Sequence, residues 1–292
     1  MELKKWLPPN FETPKLQNFE TPIIFETITE NMKIVVCIKQ VPDTTEVKIN
    51  PQTGTLIREG VPSIMNPDDK GGLEFALQLK DKYGAHVTVI TMGLPQAEAI
   101  LREALAMGVD RAILLTDRKL GGADTLATSS ALAGALRTME YDLVITGRQA
   151  IDGDTAQVGP QIAEHLDLPQ VSYMEDLKYN KKSNTFTIRK QMEDGYQVLE
   201  IQAPCVVTAL ASAVQPRYMT VNGIVTAYDK EIEVWGADRI DVPEDRIGKA
   251  GSPTSVFKAF PKQLKPAGQT FEVTPEEAVE LIVNKLKEKH II

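Results

Sequence analysis

Four short apolar runs, each leading through a brief connection into a helix-like segment, constrain this chain most. They are "KIVVCIK" (33–39), "HVTVIT" (86–91), "RAILLT" (111–116) and "DLVIT" (142–146). Each has strand length and stays apolar on consecutive residues, as a strand covered on both faces does. Helical signals lie between and after them. "NPDDKGGLEFALQLKDKYG" has Asn66 as a candidate cap, a face of Leu73, Ala76, Leu77 and Lys80, and Gly84 as its stop. "PQAEAILREALAMG" carries Pro95 in its first turn and Gly108 at its end. "DTLATSSALAGALRTM" starts on Asp124 as cap, and "GRQAIDGDTAQVGPQIAEHL" (147–166) opens the next helix, with Pro160 limiting the bonded turn to a start close to Thr155. Short βα connections in series predict an α/β fold: a parallel sheet with helices on both faces, Rossmann-like and of the adenine-nucleotide-binding type. Ligands of such sheets sit beyond the carboxyl ends of the strands.

The remaining chain reads differently. Residues 46–59 predict a hairpin turning at Pro51–Gly54. After Leu168 the apolar period becomes two, and "EDLKYNKKSNTFTIRKQMEDGYQVLEIQAPCVVTAL" predicts antiparallel strands with turns near 182–184 and 193–195. From Gln215 prolines and glycines break the pattern until a last helix, where Thr274 and Glu277 form a capping box and Val279, Ile282, Val283 and Leu286 make a stripe. That helix either anchors an arm on another protein or packs back on its own domain. The first 31 residues repeat "NFETP" and hold four prolines, which exclude a long helix; a disordered tail is the plain reading, and an extended arm laying its Phe side chains on a neighbouring surface is the one expected here. The expected division is an N-terminal extension (1–31), a nucleotide- or flavin-binding α/β domain (32–215) and a C-terminal arm (216–292).

Composition removes several functions. With net charge −8 and no basic cluster, nucleic acid is not expected as a partner. Cys37 and Cys205 alone build no disulfide framework, which fits a reducing cytoplasm. His86, His165 and His290 are scattered without cysteines at ligand spacing, so no metal site is expected. No apolar run approaches the ~20 residues of a membrane span, so no membrane insertion is expected.

The stretch 147–166 holds acids, amides and glycines but no Ser or Cys nucleophile. A helix start leaves N–H groups unpaired and adds partial positive charge, so a diphosphate is a natural guest. Gly147, Gly153 and Gly159 are expected to let backbone approach that guest, and Asp154, Thr155 and Gln157 to cap the helix or bond ribose and phosphate oxygens. Asp152 and Asp154 are poor acid catalysts beside phosphates. "KQVPDTT", "MNPDD", "TMGLP" and "GGADTLATS" belong at the same sheet edge, which is how open α/β sheets build a nucleotide pocket. A capped helix with a glycine-rich entrance and no ligand is the plain alternative, as is a free-standing ATP-binding stress-type protein with this sheet architecture.

From about Met32 to its C-terminus the sequence resembles the beta subunit of electron-transfer flavoprotein. "VCIKQVPDT" with "SIMNPDDKGGLEFAL", "ALAMGVDRAILL" with "GRQAIDGDTAQVGP", and above all "IRKQMEDGYQVLEIQAPCVVTA" followed by "PRY" carry the resemblance. It implies a heterodimer with an FAD-bearing alpha subunit, wrapped by the C-terminal arm. Beta subunits of one kind hold structural AMP and serve acyl-CoA dehydrogenases. Those of the other kind, from anaerobic metabolism, hold a second FAD that takes a hydride from NADH. One electron then goes to the alpha-subunit FAD and one to ferredoxin or flavodoxin. AMP-binding members resemble "QAIDDDCNQTG"; here Gly153 stands in place of an acid, and "VPDTT" and "GGADTLATS" resemble the FAD-binding, bifurcating branch. A flavin needs small or hydroxylated neighbours, which Gly121, Gly122, Thr125, Thr128 and Ser129 would supply. Carried over, the contacts are Cys37, Asn66, Met92, Gly122, Asp124, Thr125, Thr128, Asp152, Gly153, Asp154, Thr155, Gln157, Val158 and Gly159. Val41, Pro42, Asp43 and Thr44 would form the flavin-edge loop. No side chain is then needed as a catalytic acid or base, because the cofactor carries the hydride step. Ala213 stands where ordinary members place an apolar anchor for dehydrogenases, so docking on an acyl-CoA dehydrogenase through that anchor is not expected, and a dehydrogenase/reductase of the enoyl-CoA or lactate type stays open.

Overall fold

The computed structural model describes residues 31–43, 62–257 and 268–292. The N-terminal arm, the 46–59 hairpin and Thr44 lie outside the described residues. The elements run in order β1 (Lys33–Cys37), β2 (Gln40–Pro42), β3 (Ser63–Met65), α1 (Pro67–Tyr83), β4 (His86–Met92), α2 (Glu98–Met107), β5 (Arg111–Leu115), α3 (Thr125–Leu136), β6 (Leu143–Gly147) and α4 (Val158–Leu166). There follow β7 (Gln170–Asn180), β8 (Thr185–Met192), β9 (Gly195–Gln202), β10 (Cys205–Ala209), α5 (Val221–Thr226), β11 (Ile232–Trp235) and α6 (Pro275–Glu288). Among the described residues one nine-stranded sheet has the order β11-β5-β4-β1-β6-β10-β7-β8-β9, and β2 and β3 pair separately. All pairings from β11 to β7 are parallel, while β7-β8-β9 is antiparallel.

Side-chain alternation explains why the central strands are apolar throughout. Ile34 and Val36 of β1 enter one core with Leu73 and Leu77 of α1 and Leu101 and Leu105 of α2. Val35 and Cys37 enter the other with Leu132 and Leu136 of α3 and Ile162 of α4. Each strand therefore feeds two helical layers, and both of its faces leave water. The α/β fold expected from the sequence is the one present.

Three local readings need correction. The period of two predicts an antiparallel strand for "CVVTA", but β10 inserts between β6 and β7 and runs parallel to both. All five of its residues are buried, the same two-faced signal as in the other central strands. Within the segment after residue 215, where the sequence predicts an arm, β11 pairs in parallel with β5. There Trp235 is buried, and Glu233 takes a bidentate pair of bonds from Arg111 at 2.6 and 2.9 Å. Finally, α4 begins at Val158 rather than near Thr155, because Asp154 (φ 50°) and Ala156 (φ 53°) take the left-handed conformation and break a helical path.

The chain divides into two compact units. The first holds the sheet and runs through Ser252, and within it Arg217 of "PRY" is clamped on α1 by Glu74 (2.9 Å) and Asp81 (2.8 Å). The second comprises 42–64 and 253–292. It contains α6, whose Thr274–Glu277 capping box is formed as expected. No residue of α6 is buried, and Val279 and Ile282 are 62% and 55% exposed.

Candidate functional site

The carboxyl ends of β1 and β6 are held together by the first turn of α1. Pro67 starts that helix, and Asp68 and Asp69 follow, where the helix dipole favours acids. Neither acid is a solvated surface charge, since each residue is 7% exposed. Asp69 Oδ2 accepts from the N–H of Lys39 after β1 (2.8 Å), and Oδ1 accepts from the N–H of Gly147 at the end of β6 (2.9 Å). Asp68 Oδ1 accepts from the N–H of Ala211 after β10 (2.8 Å), and Oδ2 lies 3.3 Å from Arg148 Nε. Asn66, at the cap position, makes no side-chain cap bond. Its amide instead donates to the Gln149 carbonyl (2.9 Å) and accepts from Ile151 N–H (3.1 Å), while its own N–H donates to the Lys39 carbonyl (2.9 Å). Lys39 Nζ completes the frame by donating to Asp152 Oδ1 at 2.6 Å.

Burial dominates the electrostatics. It pushes the Asp69 carboxyl up to about 7, although bonds from Asn66, Lys39 and Gly147 favour the charged form. It also pushes the Cys37 thiol up to about 12, with the Asp69 charge adding to the effect. A thiol held protonated is a packing group rather than a redox nucleophile.

The entrance to α4 is built from non-glycine residues in unfavourable backbone. The left-handed conformation costs about 1–2 kcal/mol for a residue such as Ala156. Strain of this kind gathers where a turn is shaped for a ligand. Gln157 occupies the N-cap, and its side chain makes no cap bond to the first-turn N–H groups. A Cβ on Gly153 would meet nothing within 4 Å, so this position opens onto free space. Thr125 Oγ1, at the start of α3, donates to Gln157 Oε1 (3.0 Å) and joins the two helix entrances. Deeper down, His165 Nε2 lies 3.2 Å from both Ser129 Oγ and Ser130 Oγ.

These placements sort the expected contacts. Asp152, Gly153, Asp154, Thr155, Gln157, Val158 and Gly159 form the α4 entrance, with Thr125 bonded to it. Asp124 caps α3 by accepting from Ala127 N–H, and Thr128 lies half-buried in the first turn of that helix. Gly122 precedes it with φ 72°. Met92 packs on the α3–α4 core, and Val41 is buried on β2. Pro42 and Asp43 belong to the second unit, where Asp43 N–H donates to the Pro62 carbonyl (2.8 Å). Two glycines are used otherwise than expected. A Cβ on Gly147 would sit 2.2 Å from Asp69 Oδ1, and one on Gly159 would sit 2.5 Å from Thr146 Oγ1 and 2.7 Å from Thr208 Cγ2. Their missing side chains admit the chain's own packing, whereas Gly153 alone of the three faces open space. Sequence reasoning missed Lys39, Asp68 and Asp69 as organisers. The doubled acid in "NPDD" was visible, but its partners lie up to 143 residues away.

A cavity of about 330 Å³ lies at the opposite rim, lined in part by Lys33, His86, Arg111 and Glu140. Lys33 bonds Glu140 and Arg111 bonds Glu233, so its cations already have partners. Among the described residues no cluster of three or more His, Cys, Asp or Glu could hold a metal. None of their helices is long and apolar enough to cross a membrane.

Residues 53–240 match the electron transfer flavoprotein domain. The chain is 58% identical over 261 residues to the "Electron transfer flavoprotein subunit beta" of Clostridium acetobutylicum, covering 89% of this chain and 100% of that protein. It is 53% identical over 264 residues to the "Caffeyl-CoA reductase-Etf complex subunit CarD" of Acetobacterium woodii, with the same coverages. It is 46% identical over 270 residues to the "Acryloyl-CoA reductase electron transfer subunit gamma" of Anaerotignum propionicum, again covering 89% and 100%.

Proposed function

The chain belongs to the electron transfer flavoprotein family, among its beta subunits, and on that premise we propose that it is the FAD-binding subunit of an electron-bifurcating complex of the cytoplasm. Its substrate is NADH. Its partners are an FAD-bearing alpha subunit, a dehydrogenase or reductase acting on an acyl-CoA, enoyl-CoA or lactate-type substrate, and ferredoxin or flavodoxin. The open face of Gly153 beside the uncapped start of α4 is the observation that carries the choice of FAD over AMP. An acid there would crowd and repel a dinucleotide's phosphates.

The residues suit the group. Main-chain N–H groups at the start of α4 would hold the pyrophosphate, and Thr125 and Thr128 offer hydroxyls. FAD supplies hydride acceptance and one-electron release when bound. The chain's own residues position it. Asp69 and Asn66 fix the two strand ends, and the buried cores behind them exclude water. The exposed stripe of α6 supports the docking of an arm on the alpha subunit.

Anaerobic mixing of the purified heterodimer with NADH tests this reading. Oxidised-flavin absorbance should fall, and ferredoxin or flavodoxin should be reduced only when the dehydrogenase-side acceptor is also present. A heterodimer whose flavin NADH leaves oxidised contradicts it. Gly153→Asp should leave stability within about 0.5 kcal/mol, since the site is open, yet weaken FAD binding. Thermal melting and flavin retention read the two effects separately.

A further inference from the structure

Asp152 lies in the turn that leads into α4, and its side chain is only 7% exposed. A carboxylate buried next to a phosphate-binding turn repels its ligand more strongly than a solvated one, because little water screens it. Among the described residues the cation paired with it is Lys39, at 2.6 Å. That ammonium comes from another strand end, 113 positions away in sequence. It is also aimed. The Lys39 N–H donates to Asp69 and the Lys39 carbonyl accepts from Asn66, so the backbone carrying the side chain is held on both sides. Asp154, two residues on, is exposed and takes a bond from the neutral Gln149 amide instead (2.8 Å). Of the two acids in this turn, the buried one has the cation.

We propose that Lys39 is a positioning residue that cancels the Asp152 charge, so that the turn before α4 accepts an anionic phosphate. The proposal rests on the reading of that turn as a nucleotide site. Lys39 acts through Asp152 and need not touch the ligand. The pair thus sets the turn's tolerance for phosphate charge: Asp152 without Lys39 repels the ligand, whereas Asp152→Asn, which keeps Lys39, should bind FAD and ADP at least as well as wild type.

The test titrates the full-length chain with FAD, ADP and adenosine, comparing wild type with Lys39→Met, Lys39→Arg, Asp152→Asn and the double variant Lys39→Met/Asp152→Asn. Lys39→Met should weaken FAD and ADP binding roughly tenfold, the order expected for one uncompensated charge at close range. Adenosine, which lacks phosphate, should bind wild type and Lys39→Met alike. Lys39→Arg should bind as wild type, and the double variant should recover most of the loss. Melting curves register any general damage to the fold, which would weaken adenosine as well. Unchanged ADP affinity in Lys39→Met overturns the proposal. So does a double variant no better than Lys39→Met, which would make Lys39 a direct phosphate ligand. A wild type that binds none of the three probes removes the nucleotide reading itself, an outcome distinct from either.

Discussion

Gly147→Ala should destabilise the chain by about 3 kcal/mol, the upper end of what one overpacked methyl costs. The added Cβ would sit 2.2 Å from Asp69 Oδ1, 2.7 Å from Asp69 N and 2.8 Å from Asp68 Cβ. All three neighbours belong to the first turn of α1, and the nearest is the oxygen accepting from the Gly147 N–H. None is the free end of a flexible side chain. Relief requires moving α1 away from β6, which also loosens the bonds from Asn66 to residues 149 and 151. Urea unfolding should show a lower midpoint, and the purified variant should retain less nucleotide. A midpoint equal to wild type would mean that α1 is not seated on Gly147 as described.

Asp69→Ala should cost about 2–5 kcal/mol, because two N–H groups, those of Lys39 and Gly147, lose their acceptor together. The same residue gives a pH signature. Burial raises its carboxyl from the ordinary 3.8 to about 7. Between those values the folded chain holds a proton that the unfolded chain has released. The unfolded state thus binds fewer protons, and on this group's account stability falls as pH rises from near 4 to about 7 and levels off above it. Asp69→Asn should abolish that component. Urea titrations of both proteins across this range check it: the difference in stability between wild type and Asp69→Asn should drift with pH below about 7 and be constant above it. A difference that is flat throughout would place the Asp69 titration elsewhere.

Much of the sheet was legible because its strands carry their signal locally. "KIVVC", "HVTVITM", "RAILL" and "LVITG" are apolar on both faces, and the helices between them advertise their ends with Gly84, Gly108 and Asp124, whereas Pro95 opens a short 3-10 turn ahead of α2. What escaped depended on partners distant in sequence. "CVVTA" has the two-faced pattern of a central strand, but nothing local tells it to leave the antiparallel ribbon and insert beside β6. "IEVW" is four residues long and half exposed, so only its docking on β5 makes it a strand. The start of α4 lies three residues beyond the position Pro160 suggests, since left-handed Asp154 is an ordinary turn residue but left-handed Ala156 is not. At the rim, the glycines of "GRQAIDGDTAQVGP" were visible. Their separate tasks, two closing against the chain's own atoms and one left open, required coordinates.

The rim formed by β1, β6 and α4 is expected to take a flavin dinucleotide. Denaturing the purified heterodimer and identifying every released nucleotide tests it most directly. Two FAD per heterodimer is the expected result, with the second lost from Gly147→Ala. One FAD accompanied by AMP, or one FAD and no second nucleotide, contradicts it.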